Sequence, residues 1–128
     1  MRPRSLLEWL VALIAAITVI SGLTQALAPR FILAMIGGQA TPTSEHFFGI
    51  IGMFMLLFGG ALLHEVLSPL PQPIVALWAA LQKVGAVAAV GLGVSKHIFS
   101  PLALLVASFD LISALFIFLY WSRIRKTG

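Results

Sequence analysis

The chain has 128 residues, of which 60% are hydrophobic and only 9% are charged. In a soluble domain about a quarter of the residues are charged. This composition excludes a water-soluble fold and predicts one integral membrane domain, residues 1–128. The absence of cysteine excludes disulfides, thiolate metal sites and thiol chemistry. The net charge of +4 is explained by basic chain ends that orient the protein in a bilayer, so we expect no nucleic-acid partner.

Four continuous apolar runs are separated by segments rich in turn residues. Each run has about 20 residues, which at ~1.5 Å per residue matches a hydrocarbon core of ~30 Å. Their continuous apolarity is typical of helices rather than of barrel strands, whose residues alternate between apolar and polar. The sequence therefore predicts an all-α fold, a four-helix transmembrane bundle in a lipid bilayer. The predicted helices cover residues 6–27, 47–67, 74–95 and 102–121.

The first helix begins after a basic segment and ends in Ala26-Leu27-Ala28, which imitates a cleavable signal peptide. Its apolar run is longer than the 7–15 residues usual for a signal peptide, so we expect a retained helix. Thr18, Ser21 and Gln25 follow an i, i+3, i+7 pattern. This spacing predicts a polar stripe on one face of the helix.

The connection between the first two helices contains a second apolar segment that is too short to span. Pro29 can begin a short helix there and Gly37-Gly38 can end it. Such a helix would lie in the outer interface, either as a surface anchor or as a lid over a cavity.

Small residues at helical spacing predict close helix contacts, because they let neighbouring backbones approach. The second helix has one such seam, and the third has another on a different face from Lys83. The predicted packing residues are Gly49, Gly52, Gly59 and Gly60 on the second helix, and Gly85, Ala89 and Gly93 on the third.

Two charged residues lie deep in the third and fourth helices. Lys83 is ~18 Å from the outer end of the third helix and Asp110 is ~14 Å from the outer end of the fourth, at ~1.5 Å per residue. The short loop between these helices makes them antiparallel neighbours. An unpaired charge at the bilayer centre costs about 2.5–3.5 kcal/mol, so we predict an intramembrane ion pair between Lys83 and Asp110.

The polar residues around this pair have two possible roles. They can fix the register of the helices by hydrogen bonding, or they can line a path for a proton, an ion or a small solute. The predicted polar interior consists of Thr18, Ser21, Gln25, Gln82, Ser108 and Ser113.

Basic residues are unequally divided between the two sides of the predicted bundle. The majority side contains Arg2, Arg4, Arg123, Arg125 and Lys126, and the other side contains Arg30 and Lys96. This excess places both termini in the cytoplasm. Trp9, Tyr120 and Trp121 are expected in an aromatic belt at the cytoplasmic interface, and His64 and Glu65 are expected to face the same interface.

The sequence has no pattern typical of catalysis or of a cofactor site. It lacks a Gly-rich phosphate loop, a metalloprotease motif and a plausible Ser–His–Asp set. The three histidines have no metal-ligand spacing. We therefore expect a non-enzyme with no metal and no cofactor.

Three stretches resemble uncharacterised small four-helix bacterial membrane proteins in the DoxX-like neighbourhood. They read "FGIIGMFMLLFG", "LQKVGA" and "FDLISALFIF" and fall within residues 48–118. The resemblance implies a four-helix inner-membrane bundle and assigns no functional residue.

Two functions are compatible with these features. The first is a non-catalytic membrane subunit, which either self-associates as a homo-oligomer or belongs to a larger membrane complex. The second is a small transporter or channel that uses the polar interior around Lys83 and Asp110. Access of water to this pair distinguishes the two.

Overall fold

A computed structural model describes residues 3–126, so Arg2, which contributes to the predicted orientation, lies outside the described part. The described residues form helices and loops without strands, which confirms the all-α prediction. The helices are α1 (Leu6–Leu27), α2 (Pro29–Met35), α3 (Pro42–Leu67), α4 (Pro73–Ser95) and α5 (Ala103–Ile124). All except α2 are long and apolar enough to span a membrane.

Local capping explains where the helices begin. The Ser5 side chain accepts a hydrogen bond from the Glu8 backbone N–H at the start of α1. At the start of α3, Thr41 and Ser44 form a capping box, with Pro42 in the first turn. The helix therefore begins at Pro42, whereas the apolar run predicted a start at residue 47.

The other predicted boundaries differ by less. α1 has the predicted bounds, and α4 begins at Pro73, next to the predicted residue 74. α5 ends at Ile124 rather than at residue 121, because the helix continues beyond the apolar run into a basic last turn containing Arg123. The predicted short helix is α2, whose first residue is Pro29.

The bundle consists of two antiparallel pairs of helices. α1 packs along α3, and α4 packs along α5, while fewer contacts join the pairs through α1–α5 and α3–α4. We call these pairs the first hairpin (α1 and α3) and the second hairpin (α4 and α5). The end at which α1 begins and α5 ends is called the terminal end.

Glycines bring α1 and α3 into close contact. A Cβ atom added to Gly22 would lie 2.5 Å from the Leu56 backbone nitrogen, and one added to Gly52 would lie 2.6 Å from that of Ala26. Gly59 lies against the Thr18 side chain, and a Cβ there would be 3.0 Å from Thr18 Cγ2. Gly22 was missing from the predicted packing residues.

The remaining predicted packing residues make no comparably close contact with another helix. A Cβ on Gly49 would be 3.5 Å from the Ala26 carbonyl oxygen, an ordinary contact. Added Cβ atoms on Gly60 and Gly85 would meet nothing within 4 Å, and Ala89 is exposed. Gly93 packs against the Phe99 ring of the α4–α5 loop and not against another helix. The α4 seam is therefore not used within the bundle.

Candidate functional site

Lys83 and Asp110 lie together inside the bundle. Lys83 Nζ is 3.2 Å from Asp110 Oδ1, and their side chains are 4% and 10% exposed. The pair joins α4 to α5 within the second hairpin. Small buried residues on the Asp110 face of α5 let the neighbouring helices approach. They are Ala103, Ala107, Ser113 and Ala114.

Thr18 connects this ion pair to the first hairpin. Lys83 Nζ donates to Thr18 Oγ1 at 2.7 Å, and the Thr18 hydroxyl donates to the Ile14 carbonyl at 2.9 Å. The hydroxyl proton therefore points along α1, and an oxygen lone pair faces the ammonium group. Lys83 Nζ also lies 5.2 Å from the centroid of the Phe109 ring, within range of a cation–π contact. One ammonium group thus links three helices.

The space around Lys83 is nearly filled. The cavity beside it has a volume of about 10 Å³ and is lined by residues that include Thr18, Ala79 and Gln82. A buried water needs roughly 10–15 Å³, so the cavity has space for one water molecule at most. The hydroxyl of Ser113 is also buried, and it has no hydrogen-bond partner among the described residues.

The predicted polar interior is only partly inside. Thr18, Gln25 and Ser113 are buried, and Gln82 is half-buried. Ser21 and Ser108 are exposed, contrary to the prediction. Ser108 Oγ donates to the Leu104 carbonyl at 2.7 Å. This bond within the helix lets a serine hydroxyl face lipid without loss of hydrogen bonding.

Gln25 joins the two helices of the first hairpin by a hydrogen bond. Its Nε2 donates to the Phe48 carbonyl at 3.0 Å. This carbonyl belongs to the part of α3 that is far from the terminal end, and the bond fixes the register of α1 against α3. It lies apart from the ion pair and does not extend the Lys83 cluster.

A second buried polar cluster lies at the terminal end. The Tyr120 hydroxyl lies 2.8 Å from both carboxylate oxygens of Glu65, and Glu65 Oε1 accepts from the Gln72 backbone N–H at 3.2 Å. Both side chains are only 4% exposed. Glu65 therefore points into the bundle rather than toward the interface, and Tyr120, predicted in the aromatic belt, is buried near the end of α5.

The sequence contained a signal for the position of Tyr120. Asp110, Ser113, Ile117, Tyr120 and Ile124 follow helical spacing and are all buried. Residues at this spacing share one face of the helix, so the face of α5 that carries Asp110 also carries Tyr120. The signal was missed because an aromatic residue near a helix end is also typical of the membrane interface.

An open cleft of about 250 Å³ adjoins this second cluster. Its polar lining includes Arg4, Glu8 and Tyr120. Arg4 Nε donates to the Val66 carbonyl at 3.3 Å, and Arg4 Nη2 donates to that of Leu67 at 2.6 Å. The guanidinium thus satisfies carbonyls at the C-terminal end of α3.

The opposite end of the bundle has an exposed ion pair. Arg30 Nε lies 2.8 Å from Glu45 Oε1 and joins the start of α2 to the first turn of α3. The Ser100 backbone N–H donates to the Ile36 carbonyl at 2.8 Å and ties the α2 region to the α4–α5 loop. Within residues 3–126, no three His, Asp or Glu residues are grouped as metal ligands would be.

No protein-family model, curated protein or solved structure matches this chain.

Proposed function

We propose that the protein is a non-catalytic subunit of a membrane assembly, in which the exposed face of α4 pairs with a second copy or with another membrane protein. The observation that carries this proposal is the closed Lys83–Asp110 pair. A cavity of about 10 Å³ is too small for a hydrated ion or a solute, since one water already needs roughly that volume. The two charges therefore have a structural role, which is to hold neighbouring helices together.

The short loops and the exposed surface of α4 support the same function. Short loops connect the long helices: residues 68–72 join α3 to α4, and residues 96–102 join α4 to α5. Almost all the surface available to a partner is therefore the lipid-facing surface of the helices. On α4, Gly85 and Ala89 leave a shallow strip without bulky side chains. Helices associate in lipid by close backbone packing at such strips.

We place this subunit in a bacterial inner membrane with the terminal end in the cytoplasm. The described basic residues support this orientation. Arg4, Arg123, Arg125 and Lys126 lie at the terminal end, and Arg30 and Lys96 lie at the other. An excess of Lys and Arg marks the cytoplasmic side.

Disulfide cross-linking in membranes tests the contact, because the natural chain has no cysteine. Ala89→Cys is expected to give a disulfide-linked species, either at the mass of a dimer or with one reproducible membrane partner. Leu111→Cys on α5 is the matched control, since Leu111 is 49% exposed and lies ~12 Å from the helix end against ~9 Å for Ala89. Equal cross-linking of both variants, or of neither, would contradict the proposal.

Water access distinguishes this function from the alternative, a small transporter or channel. Ala79 lines the cavity beside Lys83, and Ala79→Cys adds little volume. A charged, membrane-impermeant thiol reagent should leave this cysteine unmodified, whereas Lys96→Cys in the exposed loop should react from the side opposite the termini. Modification of Ala79→Cys in the folded protein would show a water path and favour transport.

A further inference from the structure

Gln82 is a polar side chain of α4 whose amide group the bundle leaves unpaired. The amide has two N–H donors and an oxygen with two lone pairs, and none of them takes part in a hydrogen bond within residues 3–126. The neighbouring Lys83, by contrast, is bonded to Thr18 and Asp110. The hydrogen bonds of the Lys83 cluster therefore do not include Gln82, although both side chains line the same small cavity.

This amide lies deep in the membrane-spanning part of α4. Gln82 is nine residues after Pro73 and thirteen before Ser95, or ~14 Å and ~20 Å from the two helix ends at ~1.5 Å per residue. In a hydrocarbon core of ~30 Å, neither headgroup layer is within reach of the side chain. Lipid tails offer no hydrogen bonds, and an unpaired polar group in an apolar medium costs free energy. The amide therefore needs a partner from outside the chain.

The position of Gln82 on α4 shows where such a partner approaches. Ala79, three residues earlier, is buried, and Gly85, three residues later, is exposed. Gln82 is half-buried between them, and it shares a face with Gly85 and Ala89, which follow it at i+3 and i+7. A Cβ atom added to Gly85 would meet nothing within 4 Å. The amide therefore lies on the face of α4 that carries the strip of Gly85 and Ala89.

Gln82 differs in this respect from the exposed serines of the bundle. Ser108 donates to the Leu104 carbonyl of its own helix, and Ser21, which is also exposed, can rotate onto a carbonyl of α1 in the same way. A glutamine amide has both a donor group and an acceptor oxygen, so a bond to a carbonyl of its own helix leaves the oxygen unpaired. A serine can therefore face lipid, whereas Gln82 requires a group that both donates and accepts.

We propose that a second copy of this chain packs against α4, with the Gln82 amides of the two copies hydrogen-bonded to each other. This inference rests on the function proposed above and names the partner. Copies of one membrane protein insert in the same orientation, so a two-fold axis between them runs along the membrane normal. The two α4 helices then lie parallel, and Gln82 meets Gln82 of the second copy at the same depth. Each amide donates one N–H to the oxygen of the other.

The chemistry of an amide favours a second copy over a different protein. A charged side chain repels its own copy, whereas an amide both donates and accepts and is therefore complementary to itself. The partner group must also lie at the depth of Gln82, a condition that a second copy meets by symmetry. Next to the amide, Gly85 and Ala89 allow the two backbones to approach. Polar pairing and close packing thus occur on the same face of α4.

Energy transfer between full-length copies in lipid vesicles tests the pairing. Donor and acceptor dyes are attached at Lys96→Cys in the exposed α4–α5 loop, and the protein-to-lipid ratio is varied to obtain a dissociation constant. The chain with Gln82 should self-associate. Gln82→Leu should weaken self-association about tenfold, or about 1.4 kcal/mol, which is the size expected for two hydrogen bonds between membrane helices. Gln82→Asn keeps an amide and should weaken it less.

A matched control and a second measurement accompany these variants. Ser21→Ala removes a lipid-facing polar group from α1 and should leave the dissociation constant unchanged. Gln82 makes no hydrogen bond within residues 3–126, so the circular dichroism of Gln82→Leu should match that of the parent chain. Gln82→Cys tests the same contact without a leucine at this position: oxidation in membranes should give a disulfide-linked species at the mass of a dimer.

Three results would overturn the inference. The first is no self-association of the chain with Gln82, and the second is equal self-association of this chain and Gln82→Leu. The third is an equal loss in Gln82→Asn and Gln82→Leu, which would show that the amide is not the group that pairs. Cross-linking of Ala89→Cys separates this inference from the subunit function: a product with a different membrane protein and none at the mass of a dimer would refute only the second copy, whereas no product specific to Ala89→Cys would refute both.

Discussion

Removal of Lys83 is expected to destabilise the bundle more than removal of Asp110. In Lys83→Met, the Asp110 carboxylate loses its only hydrogen-bond donor within residues 3–126. In Asp110→Leu, the ammonium of Lys83 keeps Thr18 Oγ1 at 2.7 Å and the Phe109 ring at 5.2 Å. The two halves of this ion pair are therefore unequally supported, and the single variants should differ.

The magnitudes follow from the burial of the pair. Removal of one partner from a buried ion pair costs about 3–5 kcal/mol, and an unpaired charge at the membrane centre costs about 2.5–3.5 kcal/mol. We expect a loss of about 3 kcal/mol for Lys83→Met and about 2 kcal/mol for Asp110→Leu, since a cation–π contact and a hydrogen bond remain. The double variant should return to within about 1 kcal/mol of the wild type, because a buried pair and its apolar replacement are often similar in stability.

Equilibrium unfolding in mixed detergent micelles, followed by circular dichroism, measures these free energies. The four proteins form a double-mutant cycle, which isolates the coupling between the two side chains. If the double variant is no more stable than Lys83→Met, the contact does not stabilise the bundle. If Asp110→Leu is the more damaging single variant, the supporting role of Thr18 and Phe109 is wrong.

Two further predictions use the same unfolding assay. Gly52→Ala should lower the free energy of unfolding by about 1–3 kcal/mol through overpacking, because the new Cβ would lie 2.6 Å from a backbone nitrogen of α1. In the control Gly60→Ala, on the same helix, the new Cβ would meet nothing within 4 Å, so this variant should be neutral or slightly stabilising. Equal effects of the two alanines would contradict the close α1–α3 contact. Tyr120→Phe should cost about 1–3 kcal/mol, because the buried Glu65 carboxylate loses its hydroxyl donor, and Glu65→Leu added to Tyr120→Phe should recover part of that loss. An unchanged free energy of unfolding in Tyr120→Phe would show that the bond contributes nothing.

The sequence predicted the features that depend on composition and depth. Apolar length gave the four spanning helices, and helical rise placed Lys83 and Asp110 at similar depths on neighbouring helices. These quantities need no knowledge of the bundle's interior. The α3 start at Pro42 was missed because the first turn of that helix is polar, and its capping box lies outside the apolar run.

The direction in which polar residues face was harder to predict. Thr18 and Ser21 are close in sequence, yet only Thr18 is buried. A serine or threonine can bond to a carbonyl of its own helix, as Ser108 does, so polarity alone does not turn it inward. The burial of Glu65 depends on Tyr120, which is 55 residues away in sequence and which, as an aromatic residue near a helix end, is expected at the interface.

The Lys83–Asp110 contact has a consequence for synthesis of the protein. Both residues belong to the second hairpin, whereas Thr18 belongs to the first. The second hairpin can therefore enter the bilayer with its opposite charges already neutralised, so that neither ion has to cross the apolar core alone. Contact with α1 adds the Thr18 oxygen as a further partner of the ammonium group. For this half of the chain we expect the hairpin to insert as a unit, because separate insertion of α4 or α5 would leave an unpaired charge in lipid.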